Sequence, residues 1–201
     1  MKSSKIMPKQ EIGGQMDVIE QISLVNEEAA IDFFLIVRER LLAVNNWGKL
    51  AGTALSAFQL TNSFGNRVDR LVEIGDYIKI DIPGPGTVLG RGYDWVKVEQ
   101  VIEHTEPGME KVAIVVKPAN NPLSGSSVTA HFLTHEASST FLIKRVGRHI
   151  YAEEHGRNEQ PNVYMPNTID NLRNMLVGWA AVLGFSYPQW KALVRGLLQG
   201  N

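Results

Sequence analysis

His131-Phe132-Leu133-Thr134-His135-Glu136 sets two imidazoles four positions apart with a carboxylate beside the second. On a strand or a helix the two rings could share a face, and two imidazoles with a carboxylate are chemically adequate zinc ligands. The His-Glu-x-x-His spacing, which adds a general base to such a pair, is absent because position 132 is Phe. The other reading is one exposed histidine and one packed at a strand edge. His155-Gly156-Arg157-Asn158-Glu159 gathers an imidazole, a guanidinium, an amide and a carboxylate in five positions. At the mouth of a sheet such a group could hold an anion or move a proton. Strand periodicity puts His149, Tyr151, Glu153 and His155 on one face. That polar stripe is a binding wall if it faces a cavity and an ordinary surface if it faces water.

Other constellations lead to less. Gly84-Pro85-Gly86-Thr87-Val88-Leu89-Gly90-Arg91-Gly92 spaces its glycines as Gly-x-Gly-x-x-x-Gly, and Tyr93-Asp94-Trp95 leads on into a strand. A phosphate loop needs a helix there, so that its first amides meet the anion. The stretch reads as a hairpin loop, or as a lid with Tyr93 and Trp95 at its hinge. Ser138-Ser139-Thr140 has no identifiable base and no Gly-x-Ser-x-Gly context. Glu153 and Glu154 are adjacent, so on a strand they face opposite sides and cannot act together.

The elements that would position these groups follow from period and punctuation. Residues 1–15 are polar with Gly13-Gly14 and read as a flexible tail, leaving 16–201 as one domain. Gln21 to Val25 forms a short strand. Asn26 caps a helix that runs toward Asn45-Asn46, with Glu27 and Glu28 at the positive end of its dipole. Ala30, Phe33, Phe34, Val37, Leu41 and Val44 recur at helical spacing. Ile31, Leu35, Ile36 and Leu42 add apolar bulk on other faces, so burial on more than one side is expected. Ala57–Thr61, Asp76–Ile82, Trp95–Ile102, Val112–Val116, Thr140–Val146 and His149–Glu154 read as strands. Pro83-Gly84-Pro85-Gly86 stops the second of these, and Gly147-Arg148 joins the last two as a Gly-first hairpin. Asn167 or Thr168 caps a helix with core face Ile169, Leu172, Leu176, Ala180 and Leu183, ending at Gly184. Ser186-Tyr187-Pro188-Gln189 caps a second helix, turning Trp190, Leu193, Val194 and Leu197 inward.

Strands in series between two helical segments predict an α+β fold: a curved antiparallel sheet covered by an N-terminal helix and a C-terminal helical segment. The order is similar to the helix-grip fold of the START and plant pollen-allergen (Bet v 1-like) superfamily, over about residues 20–199. The helix from Asn26 falls at that family's first helices, the Gly147 hairpin near its last strands, and residues 168–198 on its gripping helix. The resemblance implies an apolar cavity between the sheet and the C-terminal helix.

Composition narrows the choice. The chain has 201 residues, 20 Lys+Arg against 21 Asp+Glu, a net charge of −1, and no cysteine. Thiol catalysis, disulfides and Cys-held metals are excluded. Near-neutral charge and scattered aromatics argue against nucleic acid. The basic tip Lys2, Lys5, Lys9 is not followed by an apolar core, and Phe33-Phe34-Leu35-Ile36-Val37 falls far short of the roughly 18 residues of a membrane span. A soluble, cytoplasmic protein is expected, with no cofactor and no residue assigned to catalysis. The leading expectation is an apolar small molecule bound in the cavity, contacted by His131, His135, Tyr151, His155 and Arg157, with Tyr93 and Trp95 at the lid. The alternatives are an assembly subunit that hides its first helix in a homo-oligomer, and a metal-assisted hydrolase built on His131 and His135.

Overall fold

A computed structural model describes residues 6–52, 56–82, 87–163, 168–182 and 187–200, the side chains of Leu176 and residues 178–182 excepted. Seven strands form one antiparallel sheet: β1 (Gly14–Ser23), β2 (Ala57–Thr61), β3 (Tyr77–Asp81), β4 (Asp94–Glu106), β5 (Met109–Pro118), β6 (Ser138–Val146) and β7 (His149–Glu159). Their order is β1-β7-β6-β5-β4-β3-β2. Helices α1 (Glu27–Leu42) and α2 (Trp47–Ala51) lie in the chain between β1 and β2, and α3 (Thr168–Val182) and α4 (Tyr187–Leu198) follow β7. This is an α+β, helix-grip-like architecture. β1 already pairs at Gly14, within the stretch expected to be a tail.

Local chemistry explains the elements. Asn26 is extended and its Oδ1 accepts from the Ala29 amide at 2.8 Å, which starts α1. Arg145, buried on β6, donates to Glu27 and to Glu110 and so ties the first turn of α1 to the sheet. φ is positive at Gly147 and not at Arg148, the pattern of a type II′ hairpin. α1 packs on β6 and β7, and α4 on β1, β7 and α2. Between them Trp47 meets Phe141 at 4.5 Å and Phe58 at 5.6 Å, and Trp190 meets Phe141 at 5.3 Å between ring centroids. The Trp47 Nε1–H donates to the Leu41 carbonyl, so the buried indole keeps its hydrogen bond.

Two expectations about helix faces need correction. α1 buries Ala30, Phe34, Val37 and Leu41 on one face and Leu42 on another at its C-terminal end, but Ile31, Leu35 and Ile36 are exposed, so the other faces are not covered along most of the helix. The first half of α3 presents the opposite face to the one its apolar spacing implies. Ile169 is 68% exposed and Leu172 57%, while Asp170, Arg173 and Asn174 are buried. Specific polar partners outweigh the apolar stripe. Asp170 accepts the amides of Val88 and Leu89, Arg173 donates to both carboxylate oxygens of Asp94, and Asn174 donates to the carbonyls of His131 and Asn162. The expected stop at Pro83–Gly86, the Asn167 cap, Leu183, Gly184 and the Ser186 cap lie outside the described residues.

Candidate functional site

Alternation along β7 divides its side chains between two faces. Ile150, Ala152 and Glu154 face the helices, as do their cross-strand partners Val18 and Phe141, both core residues. His149, Tyr151, Glu153, His155 and Arg157 face the other way, where Ile19 on β1 is exposed. The polar stripe therefore lies on the outer face of the sheet. Glu153 and Glu154 sit on opposite sides, as their adjacency requires.

On the outer face the stripe forms a continuous ionic network. The His155 Nδ1 contacts Asp17, and its Nε2 is 2.8 Å from Glu153 Oε2. Glu153 also accepts from Lys144, whose ammonium lies 4.7 Å from the Tyr151 ring centroid. Arg157 donates to Asp17 and to the carbonyls of Met16 and Gly156. Burial lowers the His155 pKa, but Glu153 and Asp17 outweigh it and the net shift is upward. Burial would raise Asp17, yet His155 and Arg157 hold its pKa below the ordinary value. Both imidazole nitrogens are engaged by carboxylates, so His155 acts here as a cross-strand tie.

The remaining expected contacts lie elsewhere. Tyr93 carries Lys79 over its ring at 3.8 Å, and Trp95, cross-strand from Lys79, is buried with its Nε1–H on the Gly90 carbonyl. Both are on the side opposite the core residues Val96 and Val98. Residues 119–137 form neither a strand nor a helix, so His131 and His135 have no regular period to share. The His131 ring is buried, stacked on Phe132, and accepts the Leu133 amide. Burial, against the pull of Asp94, lowers its pKa to about 4. The His135 side chain is 73% exposed beside Glu136. Among the described residues no three His, Asp or Glu stand close enough to hold a metal.

The inner face of β7 carries what the linear pattern concealed. Glu154 is 0% exposed, and neither of its carboxyl oxygens has a hydrogen-bond partner of normal geometry, the Ser139 hydroxyl being a neighbour that acts on its charge. Burial raises its pKa well above the carboxylate range, the neighbouring Glu159 adds to this, and the Ser139 hydroxyl partly offsets it. Glu159 would belong to the outer face in a regular strand. Between Gly156 and Glu159, however, β7 holds one residue more than β1, because Gly14 pairs with Glu159 and Met16 with Gly156. This bulge re-aims the side chain. A Cβ at Gly156 would lie 2.5 Å from Glu159 Oε1, so the carboxyl folds over Gly156 on the inner face and needs a glycine there. Burial, eased by Arg157, raises the Glu159 pKa to about 7. Ser139 pairs with Gly156 and shares that face. Two carboxyls and a hydroxyl thus converge inside the sheet.

Asn158 builds the bulge. Its φ is +57°, a region that asparagine tolerates better than most residues. Its Oδ1 accepts from the Glu11 and Ile12 amides, its Nδ2 donates to the Lys9 carbonyl, and its own amide donates to Gln10. Asn158→Ala is expected to cost about 2–3 kcal/mol from the lost hydrogen bonds and the left-handed backbone. Asn158→Gly should fall between the two, because it keeps the backbone freedom. Urea midpoints of the three proteins check this, and an alanine variant within 0.5 kcal/mol of wild type would remove the locking role.

No family model matches the chain, and no curated protein matches it. Solved structures similar to it include the hypothetical protein jhp0584 from Helicobacter pylori, at 9% identity and TM-score 0.47 over 92% of this chain and 88% of that one. Truncated norcoclaurine synthase from Thalictrum flavum is similar at 11% identity and TM-score 0.36, over 96% and 100%. The ginseng major latex-like protein 151 from Panax ginseng is similar at 13% identity and TM-score 0.36, over 84% and 97%.

Proposed function

We propose that the protein binds a small, largely apolar molecule between the helix-packed face of the sheet and its C-terminal helices, with Glu154 and Glu159 meeting the guest's polar end. One observation carries this reading: a completely buried carboxyl with no hydrogen-bond partner, on the face that the helices cover. A buried polar group left unpaired costs stability, and such groups recur where a ligand completes the bonding. The polar contact then moves from the residues singled out by spacing to the inner face of β7, while Tyr93, Trp95, His131, His135, Tyr151, His155 and Arg157 serve the outer face and the rim.

Native mass spectrometry of the purified chain is expected to show a small organic adduct that Glu154→Leu weakens or loses. The uncharged apolar dye Nile red should compete with it. Bare protein mass together with no dye binding would overturn the reading. The second reading, an assembly subunit, is favoured by the exposed Ile31, Leu35 and Ile36 of α1. The same spectrum tests it: bare dimers or higher species, without adduct, would replace the first reading with the second. No helix among the described residues is long and apolar enough to cross a membrane.

A further inference from the structure

We infer that the guest of the inner-face site is a primary alkylamine, held as its ammonium ion by Glu154, Glu159 and Ser139. This rests on the interior-binding reading above and adds the chemical class. Three acceptor groups converge on one patch: the unpartnered Glu154 carboxyl, the Glu159 carboxyl folded over Gly156, and the Ser139 hydroxyl opposite Gly156. An alkylammonium group carries three N–H donors and no acceptor.

The nearby cations among the described residues are already engaged. Arg157 is bound to Asp17 and two carbonyls on the outer face, Lys144 to Glu153, and Arg195 of α4 to Glu20. Among the described residues the patch is therefore rich in acceptors, with Arg157 the cation that acts on it, from the outer face. Val18, Phe141 and Ala152 surround Glu154 with apolar surface suited to an alkyl chain. An alcohol offers one donor and no charge, and a carboxylate guest would meet its own sign.

The proton balance is specific. The ammonium is charged at neutral pH, and burial raises both carboxyls, Glu159 to about 7, with Asp17 adding to the shift at Glu154 and Arg157 opposing it at both. Binding ionises the pair: the carboxyl O–H breaks, the proton goes to solvent, and the ammonium–carboxylate contact replaces it. The protons belong to the coupled pair and not to either residue alone.

Isothermal titration of the full chain with straight-chain C4–C10 amines, the matching alcohols and the matching carboxylates tests the inference. At the best chain length the amine should bind at least about tenfold tighter than the alcohol, as charge-assisted hydrogen bonds imply, and the carboxylate should not bind. Measured heats at pH 7.5 should differ between phosphate and HEPES in proportion to the proton released and the ionisation heats of the two buffers. Glu154→Gln, checked for folding by circular dichroism, should reduce the amine preference to less than about threefold while alcohols still bind. Alcohols binding as tightly as amines, or heats independent of buffer, would overturn the amine assignment and leave interior binding standing. If neither class binds at any length, interior binding falls and the amine assignment falls with it.

Discussion

Glu154→Leu is expected to stabilise the protein, by an amount that grows as pH rises. The Glu154 carboxyl is buried without a partner, and burial together with Glu159 raises its pKa well above 4.5. A raised carboxyl contributes stability that is complete below its unfolded value and is lost as pH climbs toward the folded one. The loss is about 1.4 kcal/mol for each pH unit in which the folded side chain keeps a proton that the unfolded one has released. Glu159, raised to about 7, acts with the same sign between 4.5 and 7. His155, net raised by Glu153 and Asp17 against burial, has its contribution complete below 6.5 and loses it above. His131 opposes them: held neutral to about 4, its contribution is complete above 6.5 and is lost as pH falls.

Wild-type stability should therefore decline from about pH 6.5 to pH 8, and the leucine variant should decline less. Between pH 6.5 and pH 8 the gap in favour of the variant should widen, by at most about 1.4 kcal/mol for each pH unit. At pH 5 the two proteins should nearly coincide. Urea titrations at these pH values decide the matter, and parallel pH profiles would show that Glu154 is solvated or paired.

Asp94→Asn should have the largest effect in the opposite direction. Asp94 is 0% exposed, receives Arg173 on both oxygens, and accepts the Phe132 amide at 2.9 Å. Removing its charge takes the bidentate carboxylate partner from a buried guanidinium, which costs about 3–5 kcal/mol. Asp94→Leu combined with Arg173→Met should recover part of this, because no buried charge is left, although the Phe132 amide and the Asn174 side-chain oxygen lose their partners. Hydrogen exchange at residues 168–175 should accelerate in Asp94→Asn, since the pair fixes the first half of α3. An asparagine variant within 1 kcal/mol of wild type would show that the pair contributes little to the attachment of α3.

The site was only partly readable from the residues. His155 to Glu159 stood out as a polar group, and the structure splits it: His155 and Arg157 go outward to Asp17, Glu159 inward to Glu154. Alternation alone assigns Glu159 to the wrong face, because the extra residue at the Asn158 bulge inverts the parity. The clue present in the sequence was Asn158 itself, an asparagine within a strand where a left-handed residue can reside. Its partners, Lys9 to Ile12, lie about 150 positions away and could not be inferred from it.

The sequence by itself determined the helix started by Asn26, the six strands read from their period, the Gly147 hairpin and the inward face of α4. Each of these depends on residues a few positions apart, where capping, turn geometry and apolar spacing act. Only the tertiary structure decided which face of the sheet the polar stripe occupies, which side of α3 is buried, and which two carboxyls meet. Those outcomes depend on contacts distant in the chain. Arg173 with Asp94 outweighs the apolar spacing of Ile169 and Leu172, and the pairing of β1 with β7 sets the bulge that turns Glu159 inward.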